Sequence, residues 1–254
     1  MDPITVQQLI DLNHQFYQTF AVQFAATRQR LQPGVQRVLK GLADHARILD
    51  LGCGNGEVWR YLSKMSRSCQ YVGLDSSAEL LAIARQAAAD HNHNPSKSLS
   101  GASSSSIAHF FERDLSDPDW DADLPEASFE VILAFAVLHH LPGKQLHKQL
   151  LVKVHRLLSP GGCFYFSVWQ FLNSPRLKAR IQEWERAGLS SSQVEPGDYL
   201  LDWRQGGSGI RYVHHFSQDE LAKLADECGY RVSDAFFSDG EGGKLGLYQW
   251  WERV

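Results

Sequence analysis

At 254 residues, 43% of them hydrophobic, the chain is long enough to bury one sizeable core and is read as a single domain. A net charge of −4 and an isoelectric point near 6.2 argue against a surface that is basic throughout, and leave room for a local basic patch. Cys53, Cys69, Cys163 and Cys228 stand far apart without a C-x-x-C pair, which points away from a disulfide framework and from a zinc site. No basic-then-apolar leader and no stretch of membrane-spanning length is visible, so a soluble, intracellular protein is expected.

Helical periodicity runs from Ile4 to about Leu42, with Pro33 and Gly34 dividing an entry segment from a second helix. Strands are then expected over 47–51, 70–75, 109–114, 129–135 and 163–169, with helices over 57–65, 78–89 and 144–158 between them. Apolar strands alternating with helices imply an α/β, doubly wound parallel sheet. The segment 91–106 is polar and serine-rich and lacks hydrophobic rhythm, so a flexible loop insertion is expected there, with no metal role for His91 and His93. A helix is expected between Pro175 and Gly188, placing Arg176 and Arg180 one turn apart with Arg186 beyond. Two β-prone runs, 230–238 and 245–252, flank Asp239-Gly240-Glu241-Gly242-Gly243 as a hairpin.

The stretch with the most chemistry in it is Ile48-Leu49-Asp50-Leu51-Gly52-Cys53-Gly54-Asn55-Gly56-Glu57, a strand running into a glycine-rich turn and then a helix. Glycines at alternate positions let the backbone approach a ligand, and the helix start offers N–H groups and a positive dipole end. The spacing is not the G-x-G-x-x-G of dinucleotide folds. At the end of the next strand, Asp75 is placed either to accept from both hydroxyls of a ribose or to cap the helix starting near Ser77.

The run Asp50-Leu51-Gly52-Cys53-Gly54-Asn55-Gly56 resembles the first motif of class I methyltransferases that use S-adenosyl-L-methionine. That resemblance implies a mainly parallel seven-stranded sheet with an antiparallel final strand. It implies donor contacts from Asp50, Gly52, Cys53, Gly54, Gly56, Asp75 and Ser76. It also implies that Asp114 hydrogen-bonds the adenine amine, that Leu115 packs on the ring, and that Phe135 and Ala136 line the donor. Ser159-Pro160-Gly161-Gly162 would be the family's tight turn into strand five.

The flanking segments narrow the resemblance. Phe24, Thr27 and Arg28, the pair His139 and His140, Val168 and Trp169, and Arg211, Tyr212, His214 and Phe216 resemble the motifs of tRNA methyltransferases that esterify 5-carboxymethyluridine at the wobble position. This implies a tRNA anticodon loop as partner, a small zinc-binding activator subunit, and a cytoplasmic or nuclear location. The candidate catalytic residues are Arg28 and Arg211, positioning a carboxylate, with His139 or His140 and Tyr212 shaping the pocket and hydrogen-bonding the base. Arginine suits the first task because its fork grips a carboxylate in two places. The cations of 176–186 and the rings of Trp169, Trp184 and Trp203 are candidates for phosphate and base contacts. Gln170, Val213 and the missing proline in Asp198-Tyr199-Leu200-Leu201-Asp202-Trp203 depart from the family pattern. Two other functions stay open: a small-molecule O-methyltransferase and a donor-binding scaffold without turnover. The chain is divided accordingly into one domain, 1–254, with an entry segment 1–43, the loop 91–106 and a substrate-side insertion 170–216.

Overall fold

The computed structural model describes residues 1–27, 30–65, 68–93, 107–204 and 207–254. Helix α1 (Pro3–Thr27) starts where Asp2 Oδ1 accepts the N–H groups of Ile4 and Thr5, each at 3.0 Å. Helix α2 (Pro33–Gly41) opens on Pro33, whose missing N–H costs nothing in a first turn. Then follow β1 (Arg47–Leu51), α3 (Glu57–Lys64), β2 (Gln70–Asp75), α4 (Ala78–His93), β3 (Ile107–Glu112) and β4 (Phe129–Phe135). The second half holds α5 (Lys144–Leu157), β5 (Leu158–Trp169), α6 (Pro175–Lys178), β6 (Ile181–Gln182), β7 (Asp198–Trp203) and β8 (Gly209–His214). It closes with α7 (Gln218–Glu227), β9 (Tyr230–Ser238) and β10 (Gly246–Arg253).

Seven strands form one sheet in the order β3-β2-β1-β4-β5-β10-β9. The first five pair in parallel, and β10 runs antiparallel to both β5 and β9. The order reverses between β1 and β4, which opens a crevice at their carboxyl ends, the usual ligand position in such sheets. Alternation along β4 shows why the central strands are apolar on both faces. Val131 and Leu133 pack with Val38 of α2, Trp59 of α3 and Leu81 of α4, while Ile132 and Ala134 pack with Leu151 of α5 and Leu224 of α7. A second sheet, β6-β7-β8, is antiparallel and rests on α1, where Leu9 meets Leu200 and Tyr212, and Phe16 and Phe20 meet Trp203.

Several expected elements shift. The helix expected over 176–186 is confined to the short α6, because Ile181 and Gln182 pair with Leu201 and Leu200 and the Asp202 N–H donates to the Arg180 carbonyl at 3.0 Å. Strand pairing and the packing of Ile181 beside Phe171 and Val213 outweigh local helix propensity, so Arg176 and Arg180 share no helix face. Ser159-Pro160-Gly161-Gly162 is the bulged start of β5 rather than a turn before it, the register jumping from Phe129↔Leu158 to Val131↔Cys163. Strand β3 starts and ends two residues earlier than expected, which leaves Asp114 beyond the strand. Residues 91–93 belong to α4, where the His91 ring meets Trp59 edge-on at 5.9 Å, and the rest of the expected loop, 94–106, lies outside the described residues.

Gly56 joins these layers at one tight point. A Cβ there would come 2.9 Å from Ala84 Cβ on α4, and the residue sits at φ +77°. Gly56→Ala is therefore expected to destabilise the fold by about 1–3 kcal/mol, read as a lower urea midpoint with an unchanged m-value.

Candidate active site

Strand β1 delivers the chain into a loop where Gly52, Gly54 and Gly56 all take positive φ, at 68°, 55° and 77°. A Cβ at Gly52 would lie 2.6 Å from Val137 Cγ2, so the loop and the segment after β4 approach backbone to side chain. The Cys53 N–H donates to the Leu74 carbonyl at 2.9 Å, and the Gly54 N–H donates to Asp75 Oδ2 at 2.8 Å. Asp75 Oδ1 accepts the Ser77 N–H at 2.9 Å, while Ser77 Oγ accepts from the Leu80 N–H at 3.3 Å. The helix cap is thus Ser77, and the Asp75 carboxylate is fixed at the cavity by the backbone of the glycine loop and of the turn into α4. Burial pushes the Asp75 carboxyl up, opposed by the N–H groups of Ser77, Gly54 and Ser76. Asp50, 2% exposed, accepts a hydrogen bond from the Tyr71 hydroxyl, and burial raises its carboxyl to about 7 against that bond.

These groups wall a cavity of about 450 Å³ at the carboxyl ends of the parallel strands. Of the donor residues expected from sequence, Asp50, Gly52, Cys53, Gly54, Asp75, Ser76, Asp114, Leu115, Phe135 and Ala136 line it. Gly56 does not, serving the α3–α4 contact instead. Ala136 holds φ +58°, an unusual angle for a residue with a Cβ, and its N–H is held by Ser167 through the carbonyl at 3.1 Å and Oγ at 3.0 Å. That bend carries the chain into a 3-10 turn, Leu138–His140, which lies over the cavity.

At the far end, His139 is 1% exposed and its Nδ1 accepts the Trp169 N–H at 3.3 Å, which leaves the neutral ring's proton on Nε2. His140 Nε2 shares a hydrogen bond with the Tyr17 hydroxyl at 2.7 Å. The Arg211 guanidinium, with the residue 7% exposed, sits among three rings, 4.9 Å from Trp169, 5.2 Å from Phe16 and 5.7 Å from Trp203. Its Nε–H is buried with no acceptor, and no carboxylate lies within ion-pair distance among the described residues. Tyr212 is not in the cavity: the alternation of β8 sends its ring the other way, where its hydroxyl donates to Asp198 Oδ1 at 2.6 Å. Arg28 lies outside the described residues.

Sequence reasoning missed the inner face of α1. Ile10, Asn13, His14 and Tyr17 all line the cavity, and their i, i+3, i+4, i+7 spacing is that of a single helix face. The available signal was two polar side chains, Asn13 and His14, flanked by Leu9, Ile10 and Phe16 on a face that reads as core.

The positive-φ glycine loop, the paired backbone contacts of Asp75 and a crevice of this size fit a ligand built from a nucleoside and a short charged tail. Asp75, Asp114 and Leu115, the loop 52–55, and Phe135 with Ala136 all open onto that one cavity. Together with the strand order, this defines a class I methyltransferase using S-adenosylmethionine. The model of the methyltransferase domain matches residues 24–235, and the chain belongs to that family. It is similar to a tRNA (carboxymethyluridine(34)-5-O)-methyltransferase of Schizosaccharomyces pombe, 28% identical over 85% of this chain and 87% of that protein. Its fold is similar to that of an S-adenosylmethionine-dependent methyltransferase of Methanosarcina mazei, with a TM-score of 0.65, 22% identity and coverage of 88% of this chain and 98% of that one. It is also similar in fold to a Haloferax volcanii methyltransferase solved in complex with the Trm112 methyltransferase activator, with a TM-score of 0.61, 14% identity and 96% of each chain covered. No helix among the described residues is long and apolar enough to cross a membrane.

The raised carboxyl of Asp50 has a sign that can be checked. The folded state holds this proton more tightly than the unfolded chain does, so its contribution to stability falls as pH rises from about 4 to about 7 and stays low above that. Asp50→Asn keeps an acceptor for Tyr71 and removes the titration. The variant is expected to gain stability relative to the parent protein between pH 5 and pH 8, measured by urea unfolding across that range.

Proposed function

We propose that the chain esterifies the carboxylate of 5-carboxymethyluridine at the wobble position of tRNA, using S-adenosylmethionine as methyl donor. The observation that carries this reading is Arg211, a buried guanidinium at the acceptor end of the donor cavity with an unfilled Nε–H. A buried cation without a counter-ion costs several kcal/mol, and an anionic acceptor seated against it removes that cost. The donor supplies a methyl carbon bonded to a positively charged sulfur, and a carboxylate is already an anion, so neither a general base nor a general acid is required. What remains for the protein is alignment and the exclusion of water. Arg211 holds the carboxylate, Trp169 fixes the plane of the guanidinium, and the rings of His139 and His140 close the wall beside α1, where His140 meets Tyr17.

The acceptor's identity is supported by the Schizosaccharomyces pombe relative, whose name states that reaction, and by the resemblance of Arg211, Tyr212, His214 and Phe216 to the family segment. The likeness to the Haloferax volcanii methyltransferase supports an activator subunit of the Trm112 kind as partner. The tRNA anticodon loop is the macromolecular substrate in this reading, and cytoplasm or nucleus is the place where it would be met.

The test is transfer of labelled methyl to tRNA carrying unesterified 5-carboxymethyluridine, with and without the activator. Base-labile label in the wobble nucleoside is expected. Label accepted by free alkyl or dicarboxylic acids and refused by the tRNA would move the assignment to a small-molecule O-methyltransferase. Arg211→Ala is expected to lower kcat/KM for the acceptor by about 10- to 100-fold, the worth of hydrogen bonds to a charged group, while S-adenosylhomocysteine binds as before.

A further inference from the structure

The carboxylate expected to receive the donor's adenine is already engaged by a side chain from the entry helix. His14 Nε2 on α1 lies 3.1 Å from Asp114 Oδ2, and both residues line the donor cavity. The other oxygen is filled, since Asp114 Oδ1 accepts the Ser116 N–H at 2.9 Å and its Oγ–H at 2.7 Å. A carboxylate oxygen has two acceptor sites, so Oδ2 alone remains for an incoming amine, and His14 holds part of it. We infer that His14 contends with the donor's adenine amine for Asp114 Oδ2, so that donor affinity falls when His14 takes its second ring proton. This rests on the placement of the adenine at Asp114.

The surroundings favour such a contest. The hydrogen bond to Asp114 raises the His14 imidazole above its ordinary range against partial burial, and Asp11 on the same helix adds to the rise. Half-burial pushes the Asp114 carboxyl up, but the bonds from His14 and Ser116 outweigh it and hold it at about 2, so it stays ionised throughout the range in which His14 titrates. Of the neighbouring cations, Arg30 lines the same cavity, and the others are engaged. Arg113 pairs with Asp123 at 3.0 Å, Arg85 of α4 donates to the Phe110 carbonyl at 2.9 Å, and Arg211 of β8 faces the Phe16 ring. Asp50 and Asp75 line the same cavity, and Asp50 titrates near pH 7 on its own account.

Calorimetric binding of S-adenosylhomocysteine from about pH 6 to about pH 9 tests the inference, with His14→Ala beside the parent protein. Any slope common to both proteins belongs to the other ionisable groups that line the cavity. Beyond it, the parent protein is expected to gain roughly fivefold in affinity as pH rises, the worth of one half-exposed ion pair, and His14→Ala to bind at low pH as tightly as the parent does at high pH. A His14→Ala variant with the full pH response, or with weaker binding at every pH, overturns the inference. Asp114→Asn separates the two levels. If it binds as tightly as the parent, the adenine placement itself fails and the inference with it. If it binds weakly while His14→Ala shows no gain, only the contest fails.

Discussion

Asn13 sits on the apolar face of α1, 5% exposed, and its amide is committed to the backbone of two other elements. Its Oδ1 accepts the Tyr212 N–H at 2.9 Å, and its Nδ2 donates to the Tyr212 carbonyl at 3.2 Å and to the His140 carbonyl at 2.9 Å. Strand β8 is the outer strand of the small sheet, so both backbone groups of Tyr212 would otherwise be buried without partners. The asparagine amide acts there as one residue of a missing strand. Through it the entry helix, the turn carrying the histidine pair and the strand carrying Arg211 share one frame, and the Arg211 end of the cavity inherits its shape from that tie.

Given that frame, the period of two along β8 divides the labour. Arg211 turns toward the cavity and its three rings, and Tyr212 turns into the protein toward Asp198. Behind Tyr212 lies a buried polar cluster. His214 is held between Asp198 Oδ1 at 2.7 Å and Glu220 Oε1 at 3.1 Å. Burial pushes its imidazole down, yet the two carboxylates prevail and raise it to about 9. Its neighbour His147 goes the other way, lowered to about 4 by burial and by the His214 charge, and bonds the Leu141 carbonyl at 2.7 Å. A charge compensated on both sides links β7, β8 and α7 behind the wall that presents Arg211, so the segment resembling the tRNA enzymes is as much a support as a binding surface.

The donor half has a different logic. There the backbone does most of the work, through positive φ at Gly52 and Gly54 and through N–H groups aimed at Asp75. Side chains at the ends of β1, β2 and β4 reach the crevice because the strand order reverses beside them. Asp50 stands at the floor of the cavity, tied to Tyr71 and buried deeply enough to hold its proton up to neutral pH.

The amino-acid sequence by itself determined the central strands of the large sheet and the glycine loop behind β1. Strands β1, β2 and β4 fall on their expected residues, because central parallel strands are short apolar runs bounded by glycine or acid, a signal contained within each segment. The positive-φ glycine loop and the place of Asp75 at the end of β2 were legible for the same reason: both are local features of the backbone. Only the tertiary structure decided the surroundings of Arg211. Whether 176–186 would be helix or strand depended on pairing with Leu200 and Leu201, some twenty residues away. That Tyr212 turns inward while Arg211 faces the cavity depended on which side of β8 meets α1, and that Asn13, His14 and Tyr17 line the cavity depended on how α1 lies against β8. Contacts between segments distant in sequence leave no periodicity in either one, so polar residues on an apolar helix face acquire their meaning only from what the fold brings opposite them.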